Sequence, residues 1–325
     1  MKIQRKDIHV ELRPYIKPLM LINFLLSRRW GIHLMQLNSR FNRIKSIKGF
    51  VNEIRYIKGS DGCYIRVRIY KPLIQTDRLP GILFCHSGGF VVGSPEENHD
   101  AIERFLRQRP CVVVAPDYRK APKYPFPAAF NDCYDTLTWM NEHADELKII
   151  PNQLIVVGYS AGGGLAISIT LRAVRENKIG IAFQMPIYPM IDDRQVTESS
   201  NFTGTPVWDS KTNALAWKLY LADLFKNNKE ISDYAAPARC TSFKGLPPTI
   251  SIVGTSEPFR DEVIEFVNRL EIDGVEVQFK QFDGCFHAFD LVAPSTNIGK
   301  DAIDFILTQF SSYYDINFPD IQARF

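Results

Sequence analysis

Ser160 lies between two glycines in Gly158-Tyr-Ser-Ala-Gly162, a G-x-S-x-G pattern. The apolar run Leu154 to Val157 precedes it, and a stretch with Leu165, Ile169 and Ala173 on one helical face follows. A strand, a tight turn and a helix in that order hold a hydroxyl above the end of a sheet, at the positive end of a helix dipole. A side chain at 158 or 162 would collide with neighbouring backbone in so sharp a turn. Serine is a poor nucleophile near neutral pH. It needs a base within hydrogen-bond reach, and the base needs a carboxylate to orient it. On this strand–turn–helix arrangement the partners follow in the order Ser, Asp or Glu, His. Histidines stand at 9, 33, 86, 99, 143 and 287, and only His287 is downstream of Ser160. Glu257, in Thr255-Ser-Glu-Pro258, is the preferred acid; Asp261, one helical turn later, is the alternative, and Asp283 and Asp290 lie close to the base in sequence. Such a trio performs acyl transfer, which also needs donors for a developing oxyanion. Gly88 and Gly89, in a loop after an apolar run, and the N–H of Ala161, after the nucleophile, are the candidates.

These residues need a scaffold. Val51 to Ile57 and Tyr64 to Tyr70 alternate apolar and polar around Gly59-Ser-Asp-Gly62, which predicts an antiparallel hairpin with one wet face. Gly81 to Cys85, Cys111 to Ala115, Leu154 to Val157, Ile181 to Ile187 and Thr249 to Val253 are apolar runs without alternation, hence strands buried on both faces. Val275 to Phe282 is a last strand. Helices are predicted from near Glu97, over 128–143, after Ser160, from Pro258 to Leu270 and from Asn297 to Phe310; the tail from Tyr313 has no clear pattern. This alternation means an α/β fold, a mostly parallel sheet with helices on both faces. In such sheets ligands bind at the carboxyl ends of strands. Ser160, His86, Asp117, Asp192, Glu257 and His287 all fall just past strand ends.

Two stretches stand outside the rhythm. Residues 1 to about 48 read as helical, with Pro18 to Leu26 and Ile32 to Leu37 apolar over more than one stripe. Residues 193–234 are a polar insertion with a helix opening at Asp209 or Ser210. The catalytic core is assigned to about 50–192 and 235–325, and a cap over it to about 1–49 and 193–234. A membrane-seeking role for the first helices is disfavoured against packing or a lid, because their basic residues do not line one polar face.

Composition excludes several classes. The 325 residues are 45% hydrophobic and 23% charged, enough for a large core. The net charge of +3, with Lys and Arg read as scattered, is too small to argue for nucleic acid or an anionic membrane as a partner. Leu19 to Leu26 is far short of the ~20 residues a membrane span needs, so no stable membrane insertion is expected. The six cysteines form no C-x-x-C, and with no apolar signal segment at the start they read as free buried thiols in a cytoplasmic protein. Cys85, His86, Cys285 and His287 match no metal-ligand spacing, so neither a metal nor a cofactor is expected.

The motifs resemble those of the hormone-sensitive-lipase-like group of α/β-hydrolases, the bacterial carboxylesterases. That group's H-G-G-G-F stands here as His86-Ser-Gly-Gly-Phe90, its D-Y-R-L-A-P as Asp117-Tyr-Arg-Lys-Ala-Pro122, and its G-D-S-A-G-G as Gly158-Tyr-Ser-Ala-Gly-Gly163. Its D-P-L-x-D-E stands as Glu257-Pro-Phe-Arg-Asp-Glu262, and its H-x-F as His287-Ala-Phe289. The resemblance spans about residues 80 to 310. It implies an α/β-hydrolase fold with a helical cap, catalytic Ser160, Glu257 and His287, an oxyanion hole from Gly88, Gly89 and Ala161, and a small ester, with short acyl chains, as substrate. Three positions depart from the pattern. Ser87 replaces a glycine that is not a donor in the family, Glu257 replaces the usual Asp, and Lys120 replaces an apolar residue. An amidase or arylformamidase on the same triad, or a receptor that no longer turns over, are the rival readings. A homodimer is compatible with the sequence.

Overall fold

The computed structural model describes residues 1–41 and 46–322. Eight strands form one sheet in the order β1-β2-β4-β3-β5-β6-β7-β8. They are β1 Phe50–Lys58, β2 Tyr64–Pro72, β3 Gly81–Cys85, β4 Val112–Pro116, β5 Leu154–Tyr159, β6 Ile181–Ile187, β7 Thr249–Gly254 and β8 Val277–Phe282. β1 and β2 pair antiparallel, as do β2 and β4, and every later neighbour pairs parallel. The expected α/β-hydrolase architecture, a mostly parallel sheet under two helical layers, is what the chain forms.

β3, β4 and β5 are buried along their whole length, as their unbroken apolar runs require. Helices His99–Gln108 and Asn297–Asn317 pack together as one layer, with Phe105 edge-on to Phe310. Helices Ala128–Glu142 and Ala161–Glu176 pack together as the other. Each fully buried Val, Leu or Phe in this sandwich contributes roughly 1.5–3 kcal/mol.

Three expectations need correction. β2 has no wet face: Arg66 and Arg68 alternate with apolar residues but are themselves buried. Arg66 pairs with Glu96 and, at 3.1 Å, with Asp117. The pairing satisfies the charges that would otherwise demand solvent. The last helix runs on past Phe310 to Asn317, because Tyr313 and Tyr314 bury against the same core. Cys63 is exposed, while the other five cysteines are buried thiols.

The two stretches outside the alternation meet each other. The N-terminal segment contains helices Ile16–Leu26 and Arg29–Phe41; the helical reading over 42–45, like the tail beyond 322, lies outside the described residues. Helix Ser210–Tyr220 opens on Asp209, whose carboxylate accepts from the N–H groups of Lys211 and Thr212 at 3.1 Å. Asn23 joins the two stretches: its amide donates to the Thr205 carbonyl at 3.3 Å and accepts from the Thr212 hydroxyl at 2.5 Å.

Candidate active site

The register of the sheet sets the site. Cys85 of β3 lies opposite Gly158 of β5, so the loop after one strand and the turn after the other leave the sheet side by side. Ser160 occupies that turn with φ 57° and ψ −120°, a backbone that L-residues seldom adopt. Two hydrogen bonds to the β6 end hold it there: Ser160 N–H to the Ile187 carbonyl at 2.9 Å, and Met190 N–H to the Ser160 carbonyl at 3.0 Å. A Cβ at Gly158 would run into the Gly162 carbonyl, and one at Gly162 into the Cys85 carbonyl. The glycine requirement read from the motif is therefore steric on both sides.

The three predicted side chains converge from separate loops. Ser160 Oγ is 2.8 Å from His287 Nε2, and His287 Nδ1 is 2.5 Å from Glu257 Oε2. The other Glu257 oxygen accepts the Gly254 N–H at 2.8 Å, fixing the carboxylate to the end of β7. Glu257 is fully buried, and Ser160 and His287 are each 3% exposed, so the chain of contacts works in a medium that strengthens it.

The alternative acids are engaged elsewhere. Asp261 accepts the Ser199 N–H at 2.8 Å and the Arg260 Nε–H at 2.6 Å. Asp283 accepts the Thr255 hydroxyl at 3.0 Å. Asp290 is buried beneath Tyr188 and accepts its hydroxyl at 2.8 Å; burial pushes the Asp290 carboxyl up. Of the six residues at strand ends, three meet and three do not. Asp117 holds Lys120, Asp192 holds Arg194 at 2.8 Å, and His86 is walled in behind the loop.

Gly88 and Gly89 have φ +131° and +60°, and their N–H groups donate to no protein acceptor among the described residues. Ala161 is the first residue of its helix, so its N–H has no acceptor one turn back. Three donors without a protein acceptor among the described residues thus stand in the loop after β3 and the turn after β5, which leave the sheet side by side. Behind them His86 stacks on Tyr118, with ring centroids 3.9 Å apart, and Tyr118 donates its hydroxyl to the His86 carbonyl at 2.9 Å. Lys120, the residue that departs from the family motif, donates to Asp117 at 2.6 Å and to the Tyr118 carbonyl at 3.0 Å. It extends the Arg66–Asp117 pair and props the stack that backs the loop.

Burial, reinforced by the charge of Lys120, pulls the His86 imidazole down to about 3. An unfolded imidazole takes its proton near pH 6.5. The unfolded chain therefore binds that proton first, and His86 draws stability away as pH falls from about 6.5 toward 3, by up to about 1.4 kcal/mol per unit. Above pH 7 this loss is absent. His86→Asn should accordingly show a shallower decline of melting temperature between pH 7 and pH 5 than the parent, and equal slopes would contradict the assignment.

Some site residues were not legible from sequence. Tyr188 and Phe259 set their rings edge-on to His287, each with centroids 4.9 Å away, and so fix the imidazole plane. Trp208, from the insertion, covers Gly89 so closely that any Cβ there would enter its ring. Gln36 donates from its amide to the carbonyls of Val91 at 2.6 Å and Ala121 at 2.9 Å, tying helix Arg29–Phe41 to the loop. No local pattern marks these residues; they are brought in by tertiary packing.

Comparison with known proteins finds similarity to α/β-hydrolases and esterases. A family model described as an alpha/beta hydrolase fold matches residues 82–291. The chain is 30% identical over 235 residues to an arylesterase of Saccharolobus solfataricus, spanning 71% of this chain and 74% of that protein. It is 29% identical over 270 residues to the carboxylesterase NlhH of Mycobacterium tuberculosis, spanning 79% and 83%. Among solved structures, a bacterial heroin esterase superposes with a TM-score of 0.85 at 33% identity, covering 93% of this chain and 96% of that one.

Proposed function

This chain belongs to the α/β-hydrolase family, in its hormone-sensitive-lipase-like group, and from that premise we propose how it works as a serine carboxylesterase. Ser160 attacks the ester carbonyl while His287 Nε2 takes its proton. Glu257 holds the imidazole by Nδ1 and stabilises the cation that forms. The N–H groups of Gly88, Gly89 and Ala161 receive the developing oxyanion, each donor accounting for roughly 3 kcal/mol of barrier lowering. His287 returns the proton to the leaving alcohol, and the acyl-enzyme is then opened by water that His287 deprotonates. The observation that carries this reading is the unbroken chain of contacts from Glu257 through His287 to Ser160.

The N-terminal segment and the 193–234 insertion act as the cap. Trp208 presses on the oxyanion loop from that cap. A roof pressed onto the loop favours a small acyl group, and short-chain esters are the proposed substrates. A series of p-nitrophenyl esters tests this: kcat/KM should peak at acetate to butyrate and fall at least tenfold by the longest chains. Aryl amides of the same acids should react far more slowly. A peak at long chains, or equal rates on amides, would overturn the substrate assignment. Among the described residues no helix is long and apolar enough to cross a membrane. Action in the cytoplasm is proposed from the free cysteines and ordinary composition.

A further inference from the structure

Helices Ile16–Leu26 and Arg29–Phe41 form a hairpin whose inner side is committed to the protein. Leu19, Asn23, Leu26 and Ile32 are buried, and Gln36 grips the loop beside the active site. The outer side is apolar as well. Leu21, Phe24, Trp30, Leu34 and Leu37 are between 47% and 61% exposed. Their spacing places Leu21 and Phe24 on one face of the first helix, and Trp30, Leu34 and Leu37 on one face of the second. The two faces join where Phe24 meets Trp30 edge-on, with centroids 6.5 Å apart. A Cβ at Gly31 would strike the Leu25 carbonyl, so that glycine lets the helices close into a tight corner. Isolated exposed apolar residues are ordinary, but a continuous apolar face on two joined helices is a docking feature.

Charge identifies the occupant. The basic residues are not scattered evenly along the chain. Residues 1–48 hold eleven Lys and Arg against two acids, while the rest of the chain has six more acids than bases. Within the hairpin, Lys17 and Arg29 are exposed at the border of the apolar face, and the Arg28 guanidinium lies 3.5 Å over the Phe24 ring. The hairpin itself contains no acid. An apolar face with an exposed tryptophan, rimmed by cations, matches an anionic lipid surface: the rings and leucines enter the headgroup boundary and the bases meet the phosphates. A second copy of this chain would bring the same positive rim against itself.

We propose that this hairpin docks the protein peripherally on anionic membranes, with Leu21, Phe24, Trp30, Leu34 and Leu37 inserted and Lys17, Arg28 and Arg29 on the headgroups. Since the inner side of the second helix touches Val91, the lipid plane would lie about one helix diameter, roughly 10–12 Å, from the loop beside Ser160. Vesicle binding requires no turnover, so its result is independent of the triad.

The full-length protein is mixed with vesicles of phosphatidylcholine alone, and of phosphatidylcholine with phosphatidylglycerol, and bound protein is measured by flotation. Binding is expected to the anionic vesicles only, weakening as salt rises. Trp30→Ala with Leu34→Ser, and separately Arg28→Glu with Arg29→Glu, should each weaken it at least about tenfold. Turnover of a soluble p-nitrophenyl ester should stay unchanged, showing that the variants are folded. Failure of the parent to float with anionic vesicles at low salt would overturn the proposal. So would binding that neither pair of substitutions alters, or sedimentation showing a dimer that the same substitutions dissociate without any affinity for vesicles.

Discussion

Ser160→Ala should give a folded protein whose kcat on p-nitrophenyl acetate is lower by about a millionfold, the scale of loss when the nucleophile of a triad is removed. No neighbouring group can take over. Cys285 is two residues from the base, but it is buried, its thiol contacts the Asp283 carbonyl at 3.6 Å, and burial pushes it far from the thiolate. Among the described residues the hydroxyl makes one hydrogen bond, to His287, so its loss should change stability by only about 1 kcal/mol. The backbone bond from Ser160 N–H to Ile187 survives in the variant. Adding His287→Ala to Ser160→Ala should lower the rate little further, because the two act as one unit. Steady-state rates with a thermal melt on each protein decide it. A single variant retaining rates within tenfold of the parent would end the nucleophile assignment.

Glu257→Gln should lower kcat by about 10⁴, although it changes a single atom. The cause lies in which oxygen is already spoken for. The Gly254 N–H requires an acceptor, so a glutamine at 257 would keep its carbonyl oxygen there and turn its NH₂ toward His287. Nδ1 would then have to accept, placing the ring proton on Nε2, where it blocks transfer from Ser160. Asp261→Asn should leave kcat within a few-fold, since that carboxylate serves Ser199 and Arg260. If Asp261→Asn proved the more damaging of the two, the acid would have been assigned to the wrong residue. The two rates, measured with the same ester, separate the candidates that sequence order alone left open.

The sheet was legible because burial on both faces leaves a plain trace. Ile82 to Cys85, Val112 to Ala115 and Leu154 to Val157 contain no polar residue. Ser160 and His287 were legible because a strained turn demands glycines and chain order leaves one histidine. Glu257 was preferred but not separated from Asp261: a helix turn apart in sequence, they differ in where a loop aims them. β2 was misread for the reason that reads β3 correctly. Arg66 and Arg68 look like a solvent face until Glu96 and Asp117 are found beneath them, supplied from distant segments. Tyr313 and Tyr314 looked like a loose tail because the core that receives them comes from other elements. Lys120 is intelligible only as part of a group of five side chains gathered from three segments.

Gln36 closes a latch at two points. Its amide holds a carbonyl beside the oxyanion loop and another past β4, so the second N-terminal helix cannot lift without releasing both. If the cap proposed above opens to admit substrate, a fastening of that kind would make entry and chemistry alternate, because lifting the helix would free the segment that follows Gly88 and Gly89.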